Sequence, residues 1–311
     1  MQPFKASDIK GNWGTLLIPI SENDAIDYKR LEDEIDTLIQ MGVSGIYSNG
    51  TAGEFYNQTE DEFDHISQLL AQKCNAAGMP FQIGACHVNP IMAKSRVVRA
   101  AQLQPGAIQV ILPDWSAPAM PEIIAYLQVL AETAAPVPLV LYNPPHAKRK
   151  LLPEEYGQLK AAGIHLVGCK TAGGDESWYA DMKKYAGELS LFVPGHHLAT
   201  GVQLGAHGAY SNVACLHPRA AQGWYEMMLT DMPRALQIQD TIQAFIKTHI
   251  LPYILDKGFS NQAVDKLLAA LGNWAPVGTR LRWPYKGIDE KEVAPLRAIA
   301  RNMMPEFFAL V

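Results

Sequence analysis

Short apolar runs alternate with longer amphipathic stretches along most of this chain, and that alternation restricts its fold more than any single residue does. A closed run of four to six apolar residues suits a buried strand, while an apolar stripe recurring at three and four residues is helical. Residues 13–19 read as a first strand, and 27–41 as a helix with Leu31, Ile35, Leu38 and Ile39 on one face. Residues 43–48 follow as a strand, then a helix whose start is marked by a capping box from Thr59 to Glu62. The same rhythm predicts strands at 80–86, 107–112, 138–142, 165–170, 190–193 and 208–212. Helices are expected over 90–103, 121–134, from Pro153 onward, 176–186, 197–204 and 218–229. Eight strand-then-helix units in roughly 230 residues give the α/β class and a (β/α)8 TIM barrel. The competing topology is a doubly wound open sheet, but no G-x-G-x-x-G turn follows the first strand.

Beyond residue 231 the strand signal stops, and 233–249, 260–271 and 290–310 look helical. The expected organisation is a catalytic barrel over 1–230 and a C-terminal helical extension over 231–311 packed on it. A chain of 311 residues with 48% hydrophobic and 18% charged residues has the means to bury a large core. Its net charge of -5 and its scattered basic residues argue against nucleic acid or an anionic membrane as partner. No apolar stretch reaches membrane length, and the N-terminus lacks a hydrophobic signal core. Cys74, Cys86, Cys169 and Cys215 form no metal-type pairs, which fits reduced thiols in a cytoplasmic protein.

In such a barrel, chemistry gathers where the strands end. The sixth run ends on Lys170 and is followed at once by Thr171-Ala-Gly-Gly174. An ammonium there meets a pocket, where desolvation favours the neutral amine that attacks a carbonyl carbon. The alternative is a lysine snorkelling to solvent or paired with a carboxylate. After the second strand, Asn49-Gly-Thr-Ala-Gly-Glu54 offers N–H groups and the Thr51 hydroxyl to an anion, or is simply a tight turn needing glycine. Tyr142, closing the fifth strand, is either an acid/base near the lysine or a satisfied core tyrosine. Trp115 follows the fourth strand, His196 and His197 the seventh, and Tyr210 ends the eighth. Neighbouring histidines on an extended segment point opposite ways, and no H-E-x-x-H or C-x-x-C supplies companions, so no metal is expected. Cys169 and Cys215 read as core filling. A carboxylate binder, a tyrosine and a lysine on one rim are what imine chemistry on a 2-keto acid requires.

These residues resemble the dihydrodipicolinate synthase / N-acetylneuraminate lyase family of class I, pyruvate-dependent aldolases, over nearly the whole chain. Gly50-Thr-Ala-Gly-Glu54 is similar to the family's G-[ST]-[ST]-G-E turn, Tyr142-Asn-Pro-Pro145 to its Y-N-x-P, and Gly168-Cys-Lys170 to its G-x-K. Gly205–Asn212 resembles its glycine-rich eighth strand. The resemblance implies Lys170 as the Schiff-base lysine and Tyr142 as proton relay. It implies Thr51 and the backbone of Gly50 and Ala52 as the carboxylate seat, with the backbone of Tyr210 beside the pyruvyl group. It also implies a homotetramer, as a dimer of dimers, acting on a small-molecule 2-keto acid without a cofactor. Three positions depart from the lysine-pathway synthases: Ala52 replaces a hydroxyl residue, Ala147 an arginine, and Trp115 a tyrosine lent to the neighbouring subunit. Lys148 stands next to the missing arginine, and His146, His196 and His197 point to a polar pocket for hydroxyl-bearing substrates.

The expectation is therefore a lyase that cleaves, condenses or dehydrates a 2-keto(-3-deoxy) acid through an imine on Lys170. Two alternatives stay open: a true dihydrodipicolinate synthase using aspartate semialdehyde, and a non-catalytic small-molecule-binding barrel.

Overall fold

The computed structural model describes residues 1–311 and contains a closed barrel of parallel strands hydrogen-bonded in sequence order. β1 (Gly11–Thr15), β2 (Gly45–Ser48), β3 (Phe81–Gly84) and β4 (Ala107–Ile111) make one half. β5 (Leu139–Tyr142), β6 (Leu166–Lys170), β7 (Ser190–Phe192) and β8 (Gly208–Tyr210) make the other, and β8 pairs back onto β1. Between successive strands run α1 (Tyr28–Gln40), α2 (Glu60–Ala77), α3 (Pro90–Gln102), α4 (Met120–Ala134), α5 (Pro153–Ala161), α6 (Glu176–Ala186) and α7 (Leu198–Leu204). α8 (Asn212–Leu216) and α9 (Pro218–Thr230) follow β8. The extension is α10 (Met232–Phe245), α11 (Leu251–Leu255), α12 (Asn261–Gly272), α13 (Val293–Met303) and α14 (Pro305–Phe308). No helix is long and apolar enough to cross a membrane.

Local signals in the sequence account for several helix starts. Thr59 Oγ1 accepts from the Glu62 N–H while a Glu62 carboxylate oxygen accepts from the Thr59 N–H, the reciprocal box expected there. Asn89 caps α3 in front of Pro90, whose missing N–H costs nothing at the first helical position.

Alternate residues on the strands fill the barrel. Trp13, Tyr47, Val140, Phe192 and Tyr210 form its interior cluster, and Phe4 stands edge-on to Trp13 to close the bottom. The indole fits because Gly45 lies opposite on β2: a Cβ there would meet the Trp13 ring at 2.7 Å. A larger core surrounds the sheet and continues without a break into the extension through Ala235, Ile242, Phe245, Leu267 and Phe307.

Several elements differ from the sequence-based expectation. The first strand is Gly11–Thr15, so 16–19 lie outside it, and the helix expected over 290–310 opens as a 3-10 turn, Glu290–Glu292, and breaks at Met304 between α13 and α14. Residues 211–212 leave the strand, because the Ser211 hydroxyl accepts from the Ala214 N–H and starts α8. The helix expected over 233–249 stops being α-helical at Phe245 and passes through a π-helical turn, Ile246–Ile250, into α11. The cause is Pro252, which has no N–H for an α-type bond and whose ring would strike the carbonyl four residues back.

Charged groups fasten the extension to the rim. Lys266 Nζ on α12 lies 2.7 Å from Glu54 Oε1, with side chains 0% and 4% exposed, and it donates to the Arg280 carbonyl at 2.7 Å. Burial pulls the Lys266 ammonium down from its ordinary value, and the Glu54 carboxylate opposes that fall. Nearby, the buried Glu34 carboxylate accepts from the Leu17 N–H at 2.8 Å, and burial pushes its carboxyl well up. Arg282 adds a two-pronged pair with Glu62 at 2.7 and 2.8 Å.

Candidate active site

Parallel pairing sets the first relationship in the site. Tyr142 and Lys170 are register partners at the ends of β5 and β6, so their side chains leave the sheet side by side toward the barrel mouth. Lys170 Nζ stands 4.5 Å from the centre of the Tyr142 ring, and the Lys170 carbonyl accepts from the Asn143 N–H at 2.9 Å. Both residues line a cavity of about 290 Å³ at the mouth. Lys170 is half-buried, so its amine remains open to a solute.

The turn after β2 supplies the next wall. Asn49 and Glu54 both take left-handed backbone (φ 54° and 53°), which curls the intervening residues around the cavity edge. Thr51 Oγ1 donates to Tyr142 Oη at 3.5 Å, and Thr51 and Ala52 line the cavity. The N–H groups of Thr51, Ala52 and Gly53 have no acceptor within the chain. Thr51 and Ala52 thus bring free donors to the cavity that Lys170 also lines, a placement able to hold an anion. Gly50 shapes this turn without lining the cavity: a Cβ on it would meet the Tyr47 ring at 2.5 Å.

The roof comes from the extension. Ile246, Ile250, Leu251 and Ile254 from the π turn and α11, with Val264 and Leu268 of α12, give it an apolar surface. Among them sits Asp265, half-buried at the cavity wall. Burial pushes its carboxyl up to about 7, against the pull of the Lys170 charge. The Asp265 carboxyl has no hydrogen-bond or ion-pair partner in the chain, and its neighbour Lys266 is engaged by Glu54.

The histidines behave differently from expectation. His196 and His197 lie in a 3-10 turn, Gly195–His197, that begins the approach to α7, so their rings stand side by side at 4.2 Å instead of pointing apart. His196 lines the cavity, and burial pushes it down to about 4, helped by His197 and Lys170. The Asn212 carboxamide oxygen accepts from the His196 N–H at 3.2 Å, so its Nδ2 donates to His196 Nδ1 at 2.9 Å. That assignment leaves the proton on Nε2 of a neutral imidazole. His146 shares the wall and is also pushed down by burial. No group of three or more His, Cys, Asp or Glu side chains is placed to hold a metal ion. The barrel side supplies most of the polar lining, and Asn261 and Asp265 are the polar groups of the roof.

Other candidates lie apart. Tyr210 lines the cavity, but its hydroxyl turns inward and donates to Gln82 Oε1 at 2.5 Å, leaving its backbone at the mouth. Lys148 and Trp115 sit at the outer rim, outside the cavity lining. Lys148 Nζ lies 5.2 Å over the Trp115 ring and donates to the Trp115 carbonyl at 2.9 Å, while the indole is 88% exposed. A second cavity of about 260 Å³, lined by Phe55, Tyr56, Ile111 and Tyr285 among others, shares Thr51, Tyr142 and His146 with the first.

The sequence model of the Dihydrodipicolinate synthetase family matches residues 8–303. The chain belongs to that family. An N-acetylneuraminate lyase of Rhizobium meliloti is 26% identical over 301 residues, covering 93% of each chain. A 4-hydroxy-tetrahydrodipicolinate synthase of Agrobacterium fabrum is 27% identical over 238 residues, 75% of this chain and 80% of that one. Among solved structures, a catalytic-lysine mutant of the Ruminococcus gnavus sialic acid aldolase superposes with a TM-score of 0.84 at 18% identity, covering 99% of both chains. A prophage protein of the dihydrodipicolinic acid synthase family from E. coli K12, in complex with pyruvate, gives 0.84 at 22% identity, covering 95% of this chain and 98% of that one. At such identities the two structures speak for the fold.

Within this member of the dihydrodipicolinate synthetase family, Thr15, Tyr47, Asp265 and the apolar roof were not singled out from sequence, and Cys215, expected as core filling, is buried and also touches the cavity. One signal was there to be used. Asp265-Lys266 interrupts an otherwise apolar helical run from Ala263 to Leu271, and two charges inside a helix buried nearly all round need a partner or a task.

Proposed function

We propose that the protein is a Schiff-base-forming class I lyase acting on pyruvate or a 2-keto(-3-deoxy) acid, with Lys170 as the imine-forming residue. The observation that carries the reading is the convergence of three groups on one cavity: the Lys170 amine, Tyr142 and the turn residues Thr51 and Ala52, whose N–H groups have no acceptor in the chain. The carboxylate of the 2-keto acid occupies the turn, which sets its keto carbon against the amine. The nitrogen adds to that carbon, the oxygen leaves as water, and the resulting iminium withdraws electrons from C3. In a cleavage, a base takes the proton of the C4 hydroxyl and that O–H pair becomes the C4=O bond. The C3–C4 pair becomes the enamine double bond, and the C2=N π pair returns to nitrogen. Tyr142, hydrogen-bonded to Thr51 and beside the nitrogen, is the group for that proton traffic. Neutral His196 offers its Nε2–H to a hydroxyl of the acceptor portion, while Lys148 and Trp115 act at the entrance.

Ala147 offers no guanidinium for a second carboxylate, so aspartate semialdehyde is not the favoured acceptor. The proposed state is a cytoplasmic homotetramer, supported by four buried free thiols and an exposed Trp115 at the rim. The test is exchange of the pyruvate methyl protons in D2O, followed by proton NMR. Protein-dependent loss of the methyl signal is expected, and no exchange with pyruvate or longer 2-keto acids would reject the reading. A product profile on 3-deoxy-2-keto acids then separates cleavage from dehydration.

A further inference from the structure

We propose that Asp265 is a further catalytic residue: a carboxyl on the roof that protonates the keto oxygen while Lys170 forms the imine, and remains as the carboxylate facing the iminium. The inference rests on the imine reading above and adds to it a group supplied by the extension. Asp265 lies beyond the first turn of α12, so the positive end of that helix does not explain it. It has no partner in the chain, and its nearest cationic neighbour in sequence, Lys266, is held by Glu54. An unpaired carboxyl among Val264, Leu268 and Ile254 destabilises the fold, and what it faces across the cavity is Lys170.

The titratable groups around it are few. Lys170 faces it from β6, the Cys215 thiol from α8, and the Tyr56 phenol from the loop after β2, each electrostatically coupled to it. Tyr142, His146 and His196 share the cavity, and the Glu54–Lys266 pair lies behind it. Since burial holds the Asp265 proton to about pH 7, both its forms are populated in a neutral solution.

The step balances. The neutral Lys170 amine adds to C2, forming the C–N bond, and the C=O π pair takes the Asp265 proton. The Asp265 carboxylate then removes a proton from the new ammonium and returns it to the C2 hydroxyl. The hydroxyl leaves as water while the nitrogen pair forms C=N. One neutral acid, one amine and one ketone thus give a carboxylate, an iminium and one water.

The experiment uses full-length protein and pyruvate alone: methyl exchange in D2O against pH, with borohydride quenching at timed intervals to follow the Lys170 adduct. Wild type is expected to show a pH limb near 7. Asp265→Asn is expected to slow both readouts by about 100-fold, the usual worth of a general acid, and to lose that limb. Asp265→Glu is expected to recover part of the rate and a shifted limb, while Asp265→Leu resembles the asparagine variant. Retention of rate within threefold, or a slower rate with the same limb, would overturn the proposal and leave the imine reading intact. A wild type that neither exchanges nor traps would overturn both.

Discussion

The two walls of the cavity are made in different ways. The barrel wall consists of strand ends, and its residues are placed by register: once β5 and β6 pair, Tyr142 and Lys170 have to emerge together. The roof consists of helices from the extension, and which of its side chains enters the cavity depends on how α10 to α12 lie on the barrel. One wall carries Lys170, Tyr142, Thr51 and His196. The other is mostly apolar, with Asn261 and a single carboxyl, Asp265, as its polar groups. On the proposed function this divides the labour: the barrel holds the keto-acid end and the extension faces the remainder of the substrate.

The largest effect should come from the barrel wall. Lys170→Ala is expected to lower pyruvate methyl exchange by at least about 1,000-fold, since a nucleophile has no substitute in a cavity lacking a second amine. Residual exchange within tenfold of wild type would remove the lysine from the account. Next comes the join between the walls. Lys266→Met leaves the Glu54 carboxylate buried without its cation and should cost about 3–5 kcal/mol in urea unfolding. Adding Glu54→Gln should then restore part of that loss, and strict additivity of the two changes would mean that the pair does not couple the walls.

Smaller effects come from protonation. The Asp265 carboxyl is pushed up to about 7, so between its unfolded value and 7 the native state binds the extra proton and stability falls as pH rises. Asp265→Asn should therefore raise the melting temperature at pH 8 and change it little at pH 5. His196 runs the other way. Its value of about 4 means that the unfolded state binds the extra proton below pH 6.5, so stability falls as pH drops through that window. His196→Gln should flatten the fall between pH 6.5 and 4 and leave stability at pH 8 nearly unchanged. An NMR titration showing His196 charging near pH 6.5 would contradict that.

The same contrast explains what was legible in the sequence. Strand runs, the Thr59 capping box and the proline start of α3 are local signals, and a parallel barrel converts strand ends into a shared rim without further information. The rim positions of Lys170, Tyr142 and Thr51 could be read for that reason, while Ala52 was named only through the family resemblance. His196 and His197 were placed on the right loop with the wrong geometry, because a 3-10 turn and an extended segment of three residues look alike in sequence. The roof was not legible. Its direction depends on the π-helical turn that Pro252 imposes and on a buried pair between residues 212 positions apart. Neither leaves a periodic trace, whereas Asp265 in an apolar helix was a visible anomaly whose destination only the packed structure supplies.

The central claim is that Lys170 carries the substrate as an imine. Incubation with pyruvate, reduction with borohydride and peptide mapping by mass spectrometry test it directly. One stable adduct is expected, on Lys170, formed by the wild type and absent from Lys170→Ala. An adduct on another lysine, or none with pyruvate and longer 2-keto acids alike, would contradict it.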